Sequence, residues 1–195
     1  MDEAKRKGTY VMAHCYTAES IQHALDCGVR SIEHGIFIDK PTAELVAGRG
    51  AFVVPTLANF EASHRLGPLN ELFRSRIPEL LAASGPMLEI CRNAGVKMGF
   101  GTDVIGRYQK FQTYEFSIRG EVLLPEEVLF SATSVNAELL NREGELGVIA
   151  EDAMADVLVV DGNPLGNLQL LQDEGRHLLV IMKGGTFYKC ELTAR

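Results

Sequence analysis

The segment 96–103, Val-Lys-Met-Gly-Phe-Gly-Thr-Asp, constrains the fold of this chain more than any other. Its apolar start predicts a short buried strand, and two glycines lead from that strand to the carboxylate of Asp103. Gly99 and Gly101 let a ligand or a neighbouring backbone come close where a Cβ would block it. Functional groups in α/β proteins gather at the carboxyl ends of strands, so Asp103 is a candidate functional residue, although an aspartate after glycine also commonly caps a turn.

Two histidines occupy the equivalent place in earlier units. Strand-like runs at 9–13 and 29–33 are followed directly by His14 and His34, and a further strand is predicted at 51–55. Helical patterns separate the strands, which begin about 20 to 45 residues apart and therefore favour parallel βα units. If the sheet curls into a barrel, both histidines and the carboxylate face one mouth.

Local signals mark several element boundaries. Thr17 and Asp39 have the side chains and positions of helix N-caps. A helix is predicted over 125–132, where proline opens the segment and two glutamates follow in the first turn. Gly184 and Gly185 between two apolar runs predict a two-residue hairpin near the carboxyl end.

Other polar residues are weaker candidates. Asn59 at the tip of the third strand and His64 in the loop after it are weak candidates for substrate binding. Glu115 is expected to be an exposed helix glutamate, with orientation of substrate or of neighbouring residues near the mouth as the alternative. A serine nucleophile is disfavoured because no G-x-S-x-G turn occurs. Cys15 beside His14 is a minor alternative, since adjacent strand residues point to opposite faces.

The composition narrows the class of partner. A formal net charge of −7 over 195 residues opposes binding to nucleic acid or to an anionic membrane, which leaves small molecules as the expected substrates. No apolar run reaches the roughly 18 to 20 residues of a membrane helix. The cysteines have no C-x-x-C spacing, so we expect reduced thiols in a cytoplasmic protein. They are Cys15, Cys27, Cys91 and Cys190.

The three strand-end residues suggest a metal site. The imidazoles of His14 and His34 with the carboxylate of Asp103 form a donor set suited to Zn²⁺, or to Mn²⁺, Co²⁺ or Fe²⁺. Water bound to such a metal becomes a nucleophile near neutral pH, and a nearby aspartate can take its proton. The chemistry predicted is therefore hydrolysis.

Several motifs occur in a fixed order along the chain. They are Ala-His at 13–14, Ser-Ile-Glu-His-Gly at 31–35, Gly-Thr-Asp at 101–103, Ala-Asp-Val-Leu-Val-Val-Asp-Gly-Asn-Pro-Leu at 155–165 and Val-Ile-Met-Lys-Gly-Gly-Thr-Phe-Tyr at 180–188. Together they resemble the amidohydrolase superfamily, above all its imidazolonepropionase-like and Xaa-Pro dipeptidase-like (prolidase-like) members. The resemblance covers nearly the whole chain.

The resemblance implies a fold and a role for each residue. Members of that family have a (β/α)₈ TIM barrel and a small β-sandwich built from both ends of the chain. By matching motif, residues 1–145 would form barrel strands five to eight, and 146–195 would form the carboxyl-terminal part of the sandwich. His14 and His34 would be metal ligands after strands five and six, and Asp103 would be the strand-eight carboxylate that contacts metal and shuttles a proton.

The departures from the family limit this reading. The chain has neither the family's His-x-His pair on strand one nor the strand-four lysine, and residues 1–8 resemble the last turn of a helix. We therefore expect the second half of a barrel, which takes eight strands and roughly 250 residues to close. Its two bare edges would be covered by self-association or by a missing amino-terminal half.

Two hypotheses for function follow. The first is a metal-dependent hydrolase that cleaves a carbon–nitrogen bond in an amide, dipeptide or cyclic amide by means of metal-activated water. The alternative is a non-catalytic, truncated amidohydrolase that keeps the fold but lacks half of the metal ligands.

Overall fold

Four parallel strands in chain order form the first sheet. In the computed structural model, which describes residues 1–192, each of these strands pairs with the next and helices connect them. The arrangement confirms the α/β class and the parallel order expected from the alternation of strands and helices. The strands are β1 (Met12–Thr17), β2 (Ser31–Phe37), β3 (Phe52–Val54) and β4 (Lys97–Met98).

Helices follow β1, β2 and β3 directly, and more helices follow β4 after a loop. In chain order the α-helices of the described residues are α1 (Asp2–Arg6), α2 (Ala18–Asp26), α3 (Lys40–Gly48), α4 (Leu57–Leu66), α5 (Ile77–Asn93), α6 (Tyr114–Gly120), α7 (Pro125–Ala132) and α8 (Ser134–Leu139). Short 3₁₀ segments lie at Glu71–Arg76, Gly106–Phe111, Leu168–Leu171 and Asp173–Gly175. Along residues 1–192, no helix combines the length and apolar character needed to span a bilayer.

Side-chain caps begin two of these helices where the sequence predicted them. The Thr17 hydroxyl accepts a hydrogen bond from the N–H of Ser20 at 3.3 Å, and the Ser20 hydroxyl accepts one from the N–H of Thr17 at 3.1 Å. Asp39 accepts a hydrogen bond from the N–H of Thr42 at 2.9 Å. Each cap satisfies an amide that the first helical turn leaves without a partner, so α2 and α3 have defined starts. The predicted α7 is also confirmed.

The hydrophobic core lies between the first sheet and its helices. Side chains from α2, β2, β3 and α5 pack into one cluster and have no exposed surface. Each large apolar side chain buried in this way contributes about 1.5–3 kcal/mol to stability. The core fixes the strands rigidly and thereby the residues at their carboxyl ends. Fully buried members include Ile21, Ile32, Val53, Leu88 and Cys91.

Three elements differ from the sequence predictions. β1 and β2 extend beyond their apolar runs, so His14 and His34 lie inside strands rather than directly after them. The ladder continues because backbone pairing does not require apolar side chains. The segment containing Asn59 and His64 forms α4 rather than a strand tip and a loop, since it buries an apolar face that includes Phe60 against the core.

A second sheet is separate from the first and antiparallel. It consists of β5 (Val157–Val160), β6 (Leu178–Lys183) and β7 (Thr186–Cys190) in chain order. Gly184 and Gly185 join β6 to β7 with φ of 53° and 80°, values that favour glycine, and the predicted hairpin is confirmed. The division at 145/146 stays a prediction, and residues 193–195 of the second predicted domain lie outside the described part of the chain.

Candidate active site

The imidazole rings of His14 and His34 meet at the carboxyl ends of β1 and β2. The Nδ1 atom of His14 lies 2.8 Å from Nε2 of His34, which is a hydrogen-bonding distance. The rings come from neighbouring strands, where Cys15 pairs with His34 in the ladder. The structure therefore brings together two residues that are 20 positions apart in sequence and that the sequence predicted to share one site.

His34 is buried and held on its other ring nitrogen. Its side chain is 4% exposed, and its Nδ1 lies 2.7 Å from the hydroxyl oxygen of Thr56. Burial lowers the pKa of His34 to about 4, although the negative charge of Asp103 opposes the shift. The ring is consequently neutral near pH 7, which is the form that binds a metal ion. The Tyr16 ring, 4.7 Å from the His34 ring between centroids, packs beside it.

The backbone of β2 changes direction at His34. His34 has a φ of 76° and Gly35 a φ of 63°, both in the left-handed region, and the ladder between β1 and β2 shifts register just beyond them. A Cβ on Gly35 would also lie 3.2 Å from Cγ1 of Val53. The chain therefore turns at Gly35, within β2. Positive φ at a non-glycine residue is strained, and such strain is common at functional sites.

Asp103 lies on the loop after β4, where its side chain is exposed and its φ is 50°. The Asn59 side-chain amide on α4 donates a hydrogen bond to Oδ2 of Asp103 at 2.8 Å. Gly101 packs tightly on β3, because a Cβ there would lie only 2.7 Å from Cγ1 of Val54. Gly101 does have a close neighbour, but it is the buried Val54 side chain rather than the ligand or backbone that the sequence predicted. Asn59 is thus hydrogen-bonded to the candidate carboxylate, and its part in substrate binding stays a prediction.

Two further sequence candidates are placed away from this pair of imidazoles. His64 is exposed in the last turns of α4, and within residues 1–192 no hydrogen bond or ring contact joins it to His14, His34 or Asp103. Cys15 is buried on the opposite face of β1 from the exposed His14, as expected. Burial raises the pKa of the Cys15 thiol, which makes it a poor nucleophile.

The expectation that Glu115 is exposed is wrong. Glu115 and Arg119, one turn apart on α6, have no exposed surface, and Nε of Arg119 donates to Oε1 of Glu115 at 2.7 Å. Burial raises the pKa of Glu115, and the adjacent Arg119 guanidinium opposes that shift. Sequence spacing alone is typical of an exposed i,i+4 pair, so it gave no signal of burial. Only the packing of α6 against α4 and the end of β4 reveals it.

The donor atoms fit part of a metal shell. Two zinc-bound nitrogens, each about 2.0–2.1 Å from the ion, would lie about 3.3 Å apart in a tetrahedral site. The observed 2.8 Å between the imidazoles of His14 and His34 is only about 0.5 Å shorter, and Thr56 supports His34 as outer partners of metal ligands do. Within the described part of the chain, however, no three His, Cys, Asp or Glu side chains converge closely enough to hold a metal ion.

Comparison with known proteins identifies the family. Residues 1–186 of the chain match the sequence pattern of the amidohydrolase family. The chain belongs to the amidohydrolase family. The resemblance inferred from the ordered motifs is thus confirmed, including its likeness to prolidase-like members.

Individual relatives of this amidohydrolase chain are enzymes about twice its length. An amidohydrolase of known crystal structure is 47% identical in sequence to this chain. The two structures match with a TM-score of 0.94 over 98% of this chain and 47% of that one. A prolidase crystallised with N-methylphosphonate-L-proline is 45% identical, with a TM-score of 0.91 over 97% of this chain and 47% of that one. Ochratoxinase from Aspergillus niger is 27% identical over 97% of this chain and 40% of its own length. The chain therefore spans about half the length of the relatives it matches.

Proposed function

We propose that this amidohydrolase chain supplies half of the active site of a metal-dependent hydrolase that cleaves carbon–nitrogen bonds. In this proposal, residues 1–145 contribute strands five to eight of a (β/α)₈ barrel, and 146–195 contribute part of a small β-sandwich. The four parallel strands in chain order and the separate antiparallel sheet support it. Matching structures of about twice the length support it as well.

The observation that carries the proposal is the contact between the two histidine rings. Nδ1 of His14 and Nε2 of His34 point at one another at the carboxyl ends of parallel strands, where α/β enzymes place their chemistry. Burial keeps His34 neutral by lowering its pKa to about 4. The Thr56 hydroxyl on the far nitrogen of His34 is the kind of outer partner that metal-ligating histidines usually have.

Each residue has a role in the proposed reaction. His14 and His34 would hold a divalent ion, of which Zn²⁺ is favoured by two nitrogen donors and Mn²⁺, Co²⁺ and Fe²⁺ are alternatives. When bound, the ion supplies Lewis-acid activation of water and of the scissile carbonyl. Asp103 lies at the open edge of the site, where its carboxylate takes the proton of the attacking water and returns it to the leaving nitrogen. Asn59 keeps that carboxylate oriented.

For the substrate we propose a small amide or dipeptide, with Xaa-Pro dipeptides first. This rests on the prolidase that is 45% identical to the chain. The ochratoxinase relative extends the proposal to other amides. A closed barrel requires the remaining strands, which we propose come from a preceding segment or from self-association.

The alternative is a chain that keeps the fold without catalysis. It is favoured by the lack of three converging metal donors among residues 1–192. The two proposals differ in whether the pair of histidines binds metal at all, and that difference is measurable on the chain itself.

Calorimetric titration with ZnCl₂ tests the proposal on the 195-residue chain. We expect one zinc ion to bind the wild-type chain, and His14→Ala or His34→Ala to abolish binding, because each removes one of two nitrogen ligands. His64→Ala is the matched control, since His64 is an exposed histidine away from the site and its loss should change nothing. If all three variants bind zinc as the wild type does, His14 and His34 are not ligands and the proposal is wrong.

A further inference from the structure

The buried ion pair formed by Glu115 and Arg119 on α6 takes no part in the proposed reaction. Both side chains have no exposed surface, and burial of two charges is costly unless every polar atom finds a partner. Such a pair seldom adds stability over an apolar replacement. Its contacts therefore indicate what it does: Nη1 of Arg119 donates to the Ser131 hydroxyl of α7 at 3.4 Å, and the other contacts lead in two directions toward the candidate active site.

The first direction runs from Glu115 to His34. Oε2 of Glu115 accepts a hydrogen bond at 2.7 Å from the N–H of Ala58, in the first turn of α4. Glu115 thereby caps α4 from a different helix. Thr56 stands at the N-cap position of α4 but makes no cap hydrogen bond. Its hydroxyl instead lies 2.7 Å from Nδ1 of His34, so the carboxylate leaves the threonine available to hold the imidazole.

The second direction runs from Arg119 to Asp103. Nη2 of Arg119 donates to the carbonyl oxygen of Gly99 at 2.8 Å, at the end of β4, and the guanidinium lies 4.8 Å from the centroid of the Phe100 ring. These contacts fix the backbone that reaches Asp103 a few residues later. The pair thus holds α4 against the segment that leads to Asp103. Asn59 lies on α4 and donates a hydrogen bond to the Asp103 carboxylate.

We propose that the Glu115–Arg119 pair is a positioning device for the active site, which orients His34 through the start of α4 and Asp103 through the carbonyl of Gly99. The pair touches neither metal nor substrate in this proposal. The predicted effect on metal affinity rests on the proposed function. The predicted orientation of His34 and Asp103 by the pair does not depend on metal.

Two double variants of the 195-residue chain separate the two directions. Glu115→Met with Arg119→Met removes both charges together, because a single substitution would leave one charge buried without a partner. Glu115→Gln with Arg119→Met keeps a side-chain oxygen that can accept from Ala58 but loses the donor to Gly99. Val46→Ala is the matched control: Val46 is a fully buried residue of α3, and its truncation lowers stability without touching α4 or Gly99.

The first readout is the nitrogen NMR signal of the histidine rings without metal. In the double methionine variant we expect the His34 Nδ1 signal to shift, because Thr56 turns to cap α4. Val46→Ala should leave that signal in place although it lowers stability, and the Glu115→Gln double variant should keep it close to the wild-type position. The exposed His23 on α2 is an internal reference. An unchanged His34 signal in the double methionine variant overturns the proposal.

The second readout is titration with CoCl₂, followed by visible absorption. Loss of a residue that orients metal ligands typically weakens metal binding about 10–100-fold. We expect that loss in the double methionine variant, and none in the Glu115→Gln double variant, which keeps His34 oriented, or in Val46→Ala. Equal loss in Val46→Ala shows a general effect of stability and contradicts positioning. If the wild-type chain binds no cobalt, the proposed function fails, whereas the NMR signals still decide whether the pair positions His34.

Discussion

The contact between Gly101 and β3 is tight enough for a single methyl group to disturb it. In Gly101→Ala the new Cβ would lie 2.7 Å from Cγ1 of Val54. Carbon atoms in favourable contact are about 3.5–4.0 Å apart, so one of the two backbones has to move by about 0.8 Å. Val54 is 6% exposed and lies in β3, and therefore its side chain cannot turn away into solvent. Overpacking of this kind costs about 1–3 kcal/mol.

Urea denaturation measures this cost, and a second glycine supplies the control. We expect Gly101→Ala to lower the free energy of unfolding by about 1–3 kcal/mol, with an unchanged m-value. Gly48, the last residue of α3, has no atom within 4 Å of an added Cβ and does not have a positive φ. Gly48→Ala should therefore raise the free energy of unfolding by up to about 1 kcal/mol, because alanine restricts the unfolded chain.

A double-mutant cycle identifies the atoms responsible. Val54→Ala removes the methyl group that the new Cβ would meet, so Gly101→Ala should cost much less in the Val54→Ala background than in the wild type. The reasoning is refuted if Gly101→Ala alone changes the free energy of unfolding by less than about 0.5 kcal/mol, the range of an ordinary surface substitution. Equal costs in the two backgrounds would refute it as well.

Two further predictions concern titratable groups. Hydrogen bonds from the first turn of α3 lower the pKa of Asp39 below its ordinary 3.8. Its stabilisation is therefore present above pH 3.8 and lost as the pH falls through the lowered value, so Asp39→Ala should reduce the urea midpoint more at pH 7 than at pH 2. Burial raises the pKa of the Cys91 thiol to about 12 and that of the Cys15 thiol above its usual value. At pH 8 only the exposed Cys27 and Cys190 should therefore react quickly with Ellman's reagent. All four cysteines should react after unfolding. Rapid reaction of more than two thiols in the native chain would contradict the packing of β1 or α5.

Predictions that depended on neighbouring residues in sequence were accurate. The N-caps Thr17 and Asp39, the α7 helix and the hairpin at Gly184 and Gly185 are each determined by hydrogen bonds or φ values within a few residues. The order of parallel strands also followed from the sequence, because βα units leave few other arrangements. The pairing of His14 with His34 needed no more than that order.

Predictions that depended on packing at a distance were less accurate. Glu115 has the spacing of an exposed helix residue, and only Ala58 and Gly99, 57 and 20 positions from their partners in sequence, show why it and Arg119 are buried. The sequence carries no strong signal for the start of α4, the helix that contains His64. The N-cap residue Thr56 has a left-handed backbone and makes no cap hydrogen bond, and the cap comes from another helix. Such information lies in the tertiary structure alone.

The hydrogen bond between Asn59 and Asp103 determines which part of the metal shell this chain can complete. To bind one zinc ion, the two imidazoles would separate by about 0.5 Å from their 2.8 Å contact and rotate so that both nitrogens face the ion instead of each other. The position of Asp103 is less adjustable. Its Oδ2 is bound to Asn59 on α4, and Glu115 caps the start of that helix, so a movement of the carboxylate to the imidazoles would break the hydrogen bond to Asn59. Asp103 is therefore better placed to take up a proton at the rim than to be the third of three close ligands, and the remaining donors of a full shell have to come from elsewhere.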